Sequence, residues 1–342
     1  MDTNHELLYR GAAHMGIEWI IQNTESNGRL RRASSLQAYY KTPLSLAEAG
    51  REEEANHVIN WITRNYARDD GYYQDAAAAQ TPRRADLYET LWIAWGAAVL
   101  ERSDIANGAL AFALRHLDPA DGGLYSSAAG NARAQGKDLR STALGGLVST
   151  VMGRMDAAAA AAAFVMSLLR LQPRLESGHF FLVRDYSGRI ITSFPSDSER
   201  YFVITPRQPR PLYYALGLAV AFLAKLALVT GNPQYLDAAQ AYVDVCASYG
   251  QSLLLHDYAG KLAWGLALIY RQTGQALSES WLIEICDYLC TLQQPSGEWH
   301  LTFLPRTEIT RSGIQNMSYD RTAEYSLWLN YVTRESRQGQ AR

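Results

Sequence analysis

Cysteine is scarce in this sequence: Cys246, Cys286 and Cys290 are the only three among 342 residues. So few exclude a disulfide framework and fit a reducing compartment, so a cytoplasmic protein is expected. Cys286 and Cys290 share a helix face without a CxxC or HxxxH partner, and read as small buried side chains rather than metal ligands. Charge of one sign is also lacking. Thirty-two basic against 34 acidic residues leave a formal net charge of -2. No basic field invites nucleic acid, and no acidic tail suggests disorder. A Gly-rich phosphate loop, a metal-spaced His/Cys cluster and a Ser-His-Asp motif are all missing, so no cofactor and no metal are expected. The opening MDTNHELLYR has no basic-then-apolar pattern, and a secretory signal is not expected.

Long apolar runs are rare too. The exception is Leu212 to Val229, LYYALGLAVAFLAKLALV, long enough for a membrane span. It carries Lys225 within it and Arg207 and Arg210 at one end. An all-round apolar helix is equally the buried wall of a soluble protein, and that reading is preferred here.

What the chain does have is a repeat. An apolar helix end, a polar turn with Gly, then an aromatic residue or Leu recurs near Gly28, Gly71, Gly122, Gly178 and Gly297, with a degenerate copy near Gly250. The period is about fifty residues, the range of helical-pair repeats. An amphipathic helix precedes each copy; GREEEANHVINWITRNY, for instance, has Ala55, Val58, Ile59 and Ile62 at helical spacing. A strongly apolar helix follows each, starting near Ser34, Ala85, Asp138, Pro211, His256 and Ser318. Six such pairs predict an all-α, six-hairpin (α/α)6 barrel. Its apolar helices form the inner ring and its amphipathic helices the outer ring, and closure removes end repeats that would need caps. One domain over 1–342 is expected, with 334–342 as a flexible tail.

The two kinds of connection differ. Inner-to-outer turns such as AEAGREE and VTGNPQ are tight. Outer-to-inner connections are long: Tyr72 to Arg84, Tyr125 to Lys137, His179 to Arg210, and His300 to Met317. Long ordered loops are commonly functional. All would gather on one face, at the N-termini of the inner helices. Within the longest, about 179–205, FFLVRDYSGRIITSF predicts a small β-hairpin lid around Tyr186-Ser187-Gly188.

That face collects the candidate site. Tyr39, Tyr40, Lys41, Tyr88, Glu89, Arg210, Tyr213, Tyr214 and Tyr319 fall at inner-helix starts, with Trp92, Trp264 and Trp328 deeper. These twelve are the candidate substrate-binding residues. A cavity lined with rings and a few charges suits a small molecule, and ring faces attract a developing cation. The candidate acids and bases are Asp86, His256, Asp257, Asp320 and Glu324. Acidic residues at helix starts also serve as caps: Asp86 with Glu89 and Ser34 with Gln37 each spell a capping box.

Two motifs carry a family resemblance. Gln293-Gln294-Pro295-Ser296-Gly297-Glu298-Trp299 matches the Gln-x-x-x-Gly-x-Trp repeat core of triterpene cyclases. Asp320-Arg321-Thr322-Ala323-Glu324 resembles the Asp-Cys-Thr-Ala-Glu motif of oxidosqualene cyclases and, more distantly, that of squalene-hopene cyclases. The resemblance implies a single-barrel relative in the terpenoid cyclase and prenyltransferase α/α-toroid superfamily, with Asp320 at the position of the Brønsted acid. Arg321 departs from the motif's Cys, and that family has two barrels. The function expected is a cyclase or isomerase of natural-product biosynthesis. Its substrate would be a largely apolar polyene, terpenoid or polyketide with a polar or acidic group, activated by acid and folded by the rings. Arg210 or Lys41 would hold an oxyanion. A carbohydrate enzyme of the same architecture (uronyl hydrolase, epimerase or glycosidase) using paired carboxylates is the alternative. A non-catalytic ligand-binding barrel is the third. The partner expected is the small molecule, with a homodimer left open.

Overall fold

The computed structural model describes all residues except 76–86, 129–135, 207, 209, 301–310 and 341–342. Among the described residues the chain is helical throughout, with strands of two residues each. Its α-helices are α1 (Thr3–Gln22), α2 (Thr42–Glu48), α3 (Glu52–Tyr66), α4 (Leu87–Val99), α5 (Ser103–Leu114), α6 (Leu139–Val151), α7 (Met155–Arg170), α8 (Tyr213–Thr230), α9 (Pro233–Ala247), the one-turn α10 (Gln251–Leu254), α11 (Gly260–Thr273), α12 (Ala276–Thr291) and α13 (Arg311–Gln340). Leaving α10 aside, they alternate as predicted. In α6 every residue from Leu139 to Thr150 is buried. In α3 only Ala55, Val58, Ile59 and Ile62 are. The apolar helices therefore lie in the interior, and the amphipathic ones cover them with one wet face.

The chain divides into two compact units, each discontinuous in sequence. The first comprises Met1–Thr81, Glu89–Phe112 and Cys286–Arg342. In it α13 packs against α1 and α2, and α2 against α3. The second comprises Pro82–Tyr88 and Ala113–Ile285. At its centre is α8, packed against α6, α9 and α11. This is the helix long and apolar enough to cross a membrane, and most of it is buried by those neighbours. Its ends follow from sequence: Gly231 closes α8 in the left-handed conformation, and Asn232 caps α9 by accepting from Gln234 N–H ahead of Pro233.

The Gly turns share one construction. An isolated antiparallel bridge closes each of four: Thr24 with Leu30, Ala67 with Tyr73, Leu117 with Leu124, and Gln293 with Trp299. In each the glycine lies against the backbone of an outer helix. At Gly28, with φ 88°, a Cβ would overlap the His57 carbonyl of α3. Gly297 stands likewise against Met15 of α1, with φ 102°. Only glycine allows that approach.

The segment after α7 carries the predicted β structure. β2 (Phe180–Phe181) pairs antiparallel with β4 (Val203–Ile204). β3 (Val183–Arg184) pairs antiparallel with β1 (Lys137–Asp138), the residues that lead into α6. Arg184 bridges Ile190 across the expected turn at Gly188. The hairpin is thus fastened to the start of α6. Lys137, buried, reaches Asp118 at 2.9 Å and Asp121 at 2.8 Å in the third Gly turn.

Three boundaries differ from expectation. α13 begins at Arg311, so Asp320 lies nine residues inside it rather than at its start, and the preceding connection is shorter than predicted. Residues 334–340 continue that helix instead of forming a loose tail, because Glu335 and Ser336 are buried. The capping box at Ser34 and Gln37 does not form. Leu36 N–H donates instead to both carboxylate oxygens of Asp75, and Ser34 N–H to Asn316.

Candidate functional site

In the first unit Lys41 stands at the entry to α2, and its ammonium lies between two carboxylates of α13. Nζ is 2.7 Å from Asp320 Oδ1 and donates to Glu324 Oε2. Asp320 and Glu324 are four residues apart on one helix, which places them on one face. Trp328, one turn further, donates its indole N–H to Glu324 Oε1 at 3.2 Å. Arg321 approaches Glu324 Oε2 at 3.5 Å. Glu324 is thus held by Lys41, Arg321 and Trp328, whereas among the described residues the ionic partner of Asp320 is Lys41. Burial alone would depress Lys41, but the carboxylates of Asp320 and Glu324 outweigh it and hold its ammonium above the ordinary lysine range.

Rings enclose this cluster. Lys41 Nζ is 5.0 Å from the Tyr40 ring centroid and 5.7 Å from that of Trp92. Trp92 meets Trp328 edge-on at 5.8 Å and stacks on Trp95 at 5.3 Å. Tyr331 continues the column from Trp328 and donates to Glu48 at 2.7 Å. The Asp320 side chain is 9% exposed, and its Oδ1 is occluded.

Tyr39 and Tyr319, in the same unit, serve the first Gly turn. Tyr39 Oη accepts from Leu30 N–H at 3.2 Å. Tyr319 donates to the carbonyls of Asn23 at 3.0 Å and Arg31 at 3.1 Å. Both hydroxyls are raised above the ordinary tyrosine range, chiefly by burial. Glu89 lies in the first turn of α4, half-buried. Asp86 lies outside the described residues. A surface groove lined by Leu7, Leu8, Met15, Cys290 and Pro295 runs along α1, and none of the predicted site residues lines it.

The second unit gathers the others. His256 Nδ1 is 2.9 Å from Asp257 Oδ1 and accepts from Tyr258 N–H at 3.0 Å. The Tyr213 ring stands edge-on to His256 at 5.2 Å. Tyr214 lies 5.3 Å from Tyr258 and 6.0 Å from Tyr88. Arg210 is half-buried just before α8, and Trp264 is buried on α11. Two cations that sequence reasoning left out of the site belong here. Arg140, on the first turn of α6, donates to Tyr214 Oη at 3.4 Å. Lys261, on α11, places Nζ 5.2 Å from the Tyr214 ring centroid. A lysine inside GKLAWGLALIY was the available signal for the second, because a lone charge in an otherwise buried helix needs a reason.

No family model matches the sequence, and no curated protein matches it. Solved structures do. A type II terpene cyclase from Scytonema, in complex with its substrate geranylgeranyl dihydroxybenzoate, is 14% identical, with 99% of this chain and 100% of that one covered and a TM-score of 0.58. A D-mannose isomerase is 9% identical over 93% and 96% of the two chains, with a TM-score of 0.68. An unsaturated glucuronyl hydrolase specific for heparin is 10% identical over 98% of each, with a TM-score of 0.61. At such identities the likeness shows the fold. The protein is an all-α α/α barrel with short β-hairpins, of the kind shared by terpenoid cyclases and carbohydrate-active enzymes.

Proposed function

We propose that this chain is a cyclase or isomerase that protonates a largely apolar, unsaturated substrate from Asp320 and folds it against Tyr40, Trp92 and Trp328. One observation carries the reading: the rings beside Asp320 already hold a buried cation, with Lys41 Nζ 5.0 Å from one centroid and 5.7 Å from another. The ring faces that favour an ammonium there favour a carbocation forming nearby. Glu324 is committed to three partners, whereas among the described residues Asp320 is held by Lys41 and keeps a partly exposed side chain. Asp320, ion-paired with Lys41 at rest, first takes up a proton from solvent as the substrate enters; that O–H bond then breaks as a C–H bond forms at an alkene carbon, and positive charge develops along the substrate. Lys41 stabilises the carboxylate left behind, which strengthens the acid. Ring closure and loss of a proton from the product cation complete a redox-neutral reaction. The secondary-metabolite setting and cytoplasmic location expected from sequence belong to this proposal. The test is product formation by the wild type and Asp320→Asn, with polyene substrates first ranked by thermal-shift stabilisation. Loss of product with the melting temperature kept supports the role, and full activity refutes it.

A carbohydrate reading rests on a different observation, the His256–Asp257 pair at 2.9 Å beside Tyr213. That pair supplies an acid/base group for a sugar hydroxyl or C–H. Stabilisation by uronate oligosaccharides and not by polyenes would select it.

A further inference from the structure

The wet faces of the covering helices are polar, and α1 breaks that pattern. Among the described residues α3, α5, α7 and α9 expose no large apolar side chain, whereas α1 exposes Leu7, Leu8 and Met15 at 62%, 50% and 47%. Leu8, Gly11 and Met15 fall at i, i+3 and i+7, with Leu7 one turn before Gly11, so the four form one stripe. Nothing lies within 4 Å of the point where a Cβ on Gly11 would stand, so another helix can come close at the middle of the stripe. A groove runs along each side of it, both within the first unit. On one side Arg10 and His14 face Glu48 and Arg51 across the turn between α2 and α3. Glu48 is engaged by Tyr331 and Arg334, both at 2.7 Å. Arg51 donates to Glu18, and Arg10 is 3.7 Å from Glu6, beyond hydrogen-bond distance, with 56% of its side chain exposed. On the other side Leu8 and Ala12 face the end of α12, with Asp287 and Cys290. Asp287 accepts from Tyr9 Oη at 2.8 Å and is still 45% exposed, and the exposed Asp2 lies beyond His5. The stripe is therefore a ridge between a groove that offers Arg10 and a groove that offers Asp287.

We propose that this face pairs with the same face of a second copy of the chain, about a two-fold axis running along α1. A contact of that symmetry needs a single patch that offers both a projection and a recess, and exposed apolar stripes of this kind mark interaction surfaces. The charges choose the axis. A two-fold across α1 would lay each groove against its own equivalent, arginine against arginine. A two-fold along α1 lays the groove of Arg10 against the groove of Asp287, and sets Leu8, Gly11 and Met15 each opposite its own equivalent. Opposite charges then meet around an apolar centre, which is how specific interfaces are built. The pairing concerns the outside of the first unit and is independent of the acid role given to Asp320.

Sedimentation equilibrium of the full chain over a concentration series is the test. The wild type moves from its mass of 38.1 kDa towards twice that value as concentration rises. L8E and M15E replace exposed side chains, so each keeps the fold, and each weakens association by about tenfold or more. Raising sodium chloride weakens the wild-type pair, because it screens attraction between unlike charges. R10E and D287K each weaken association, and the double variant recovers part of the loss. D2K takes the place of D287K if loss of the Tyr9 contact unfolds the chain. A monomer at every concentration overturns the proposal, as does a dimer indifferent to both L8E and M15E. A pair that tightens with salt, or that is untouched by the charge reversals, overturns the axis along α1. A wild type that stays monomeric and co-sediments with vesicles of phosphatidylcholine and phosphatidylglycerol gives the stripe to a membrane surface instead, and equally sinks the pairing.

Discussion

The ammonium of Lys41 lies 2.7 Å from Asp320 Oδ1, and the same nitrogen donates to Glu324 one helical turn away. Two carboxylates four residues apart on a buried helix face repel each other, and Lys41 is what makes their proximity tolerable. Lys41→Met leaves both facing each other without it. A buried pair broken on one side costs about 3–5 kcal/mol. Asp320→Asn keeps Lys41 paired with Glu324, and its cost is about 1 kcal/mol. Chemical denaturation of both variants checks the order. If the two are equally stable, Lys41 is not the keystone of the cluster. With a substrate in hand, Asp320→Asn lowers turnover about 10²–10⁴-fold, the usual worth of a general acid.

The same cluster sets a pH dependence. Lys41 is raised in the fold because the carboxylates outweigh its burial, and Lys137 is raised in the same sense by Asp121 and Asp118. A base raised on folding contributes its full stabilisation below its unfolded value, about 10.4 for lysine. That contribution is lost as pH rises through the higher folded value. The melting temperature of the wild type therefore falls above about pH 10. The Lys41→Met protein, lower throughout, falls less steeply over that range. Parallel curves would show that Lys41 titrates alike in both states.

The cysteines are inert in the native state. Burial raises Cys246 and Cys286, and Cys290 is pushed up to about 12. At pH 8 a thiol of that acidity is thiolate in roughly one molecule in ten thousand, and only the thiolate reacts. Iodoacetamide followed by mass spectrometry finds the folded chain unlabelled over minutes and all three cysteines modified in denaturant. Cys290, less buried than the other two, is the first to react on partial unfolding. Rapid labelling of Cys290 with the fold intact would contradict this.

The helical pairs were legible because their signals are local. A Gly turn announces itself by composition, and α3 and α6 differ in periodicity within a single window. Asp320 with Glu324 was also legible, since both sit in one short motif. The partner that fixes their chemistry was not: Lys41 is some 280 residues away in sequence, and nothing in a helix face records what lies opposite. Tyr39 and Tyr319 show the converse. Each is a tyrosine among candidate site residues, yet the backbone carbonyls and amide they satisfy belong to the turn at Gly28. Arg140 stood in view beside Asp138. Its tie to Tyr214, 74 residues on in sequence, appears only in the fold.

The Gly turns carry the last prediction, because two left-handed glycines in the same unit differ only in what surrounds them. Gly28, at φ 88°, has the His57 carbonyl where a Cβ would stand. Gly50, at φ 74°, has no atom within 4 Å of that point. Alanine at Gly50 therefore bears only the cost of the left-handed conformation, about 1–2 kcal/mol. Alanine at Gly28 bears that cost and also forces the turn away from α3, which loosens the bridge between Thr24 and Leu30 and with it the backbone groups that Tyr39 and Tyr319 bind. Its total cost is about 3 kcal/mol or more, in the range of severe backbone and overpacking defects. Urea unfolding of Gly28→Ala and Gly50→Ala measures the difference. Equal losses would mean that the turn at Gly28 rests on conformation alone, and that its close approach to α3 contributes nothing to holding the repeat together.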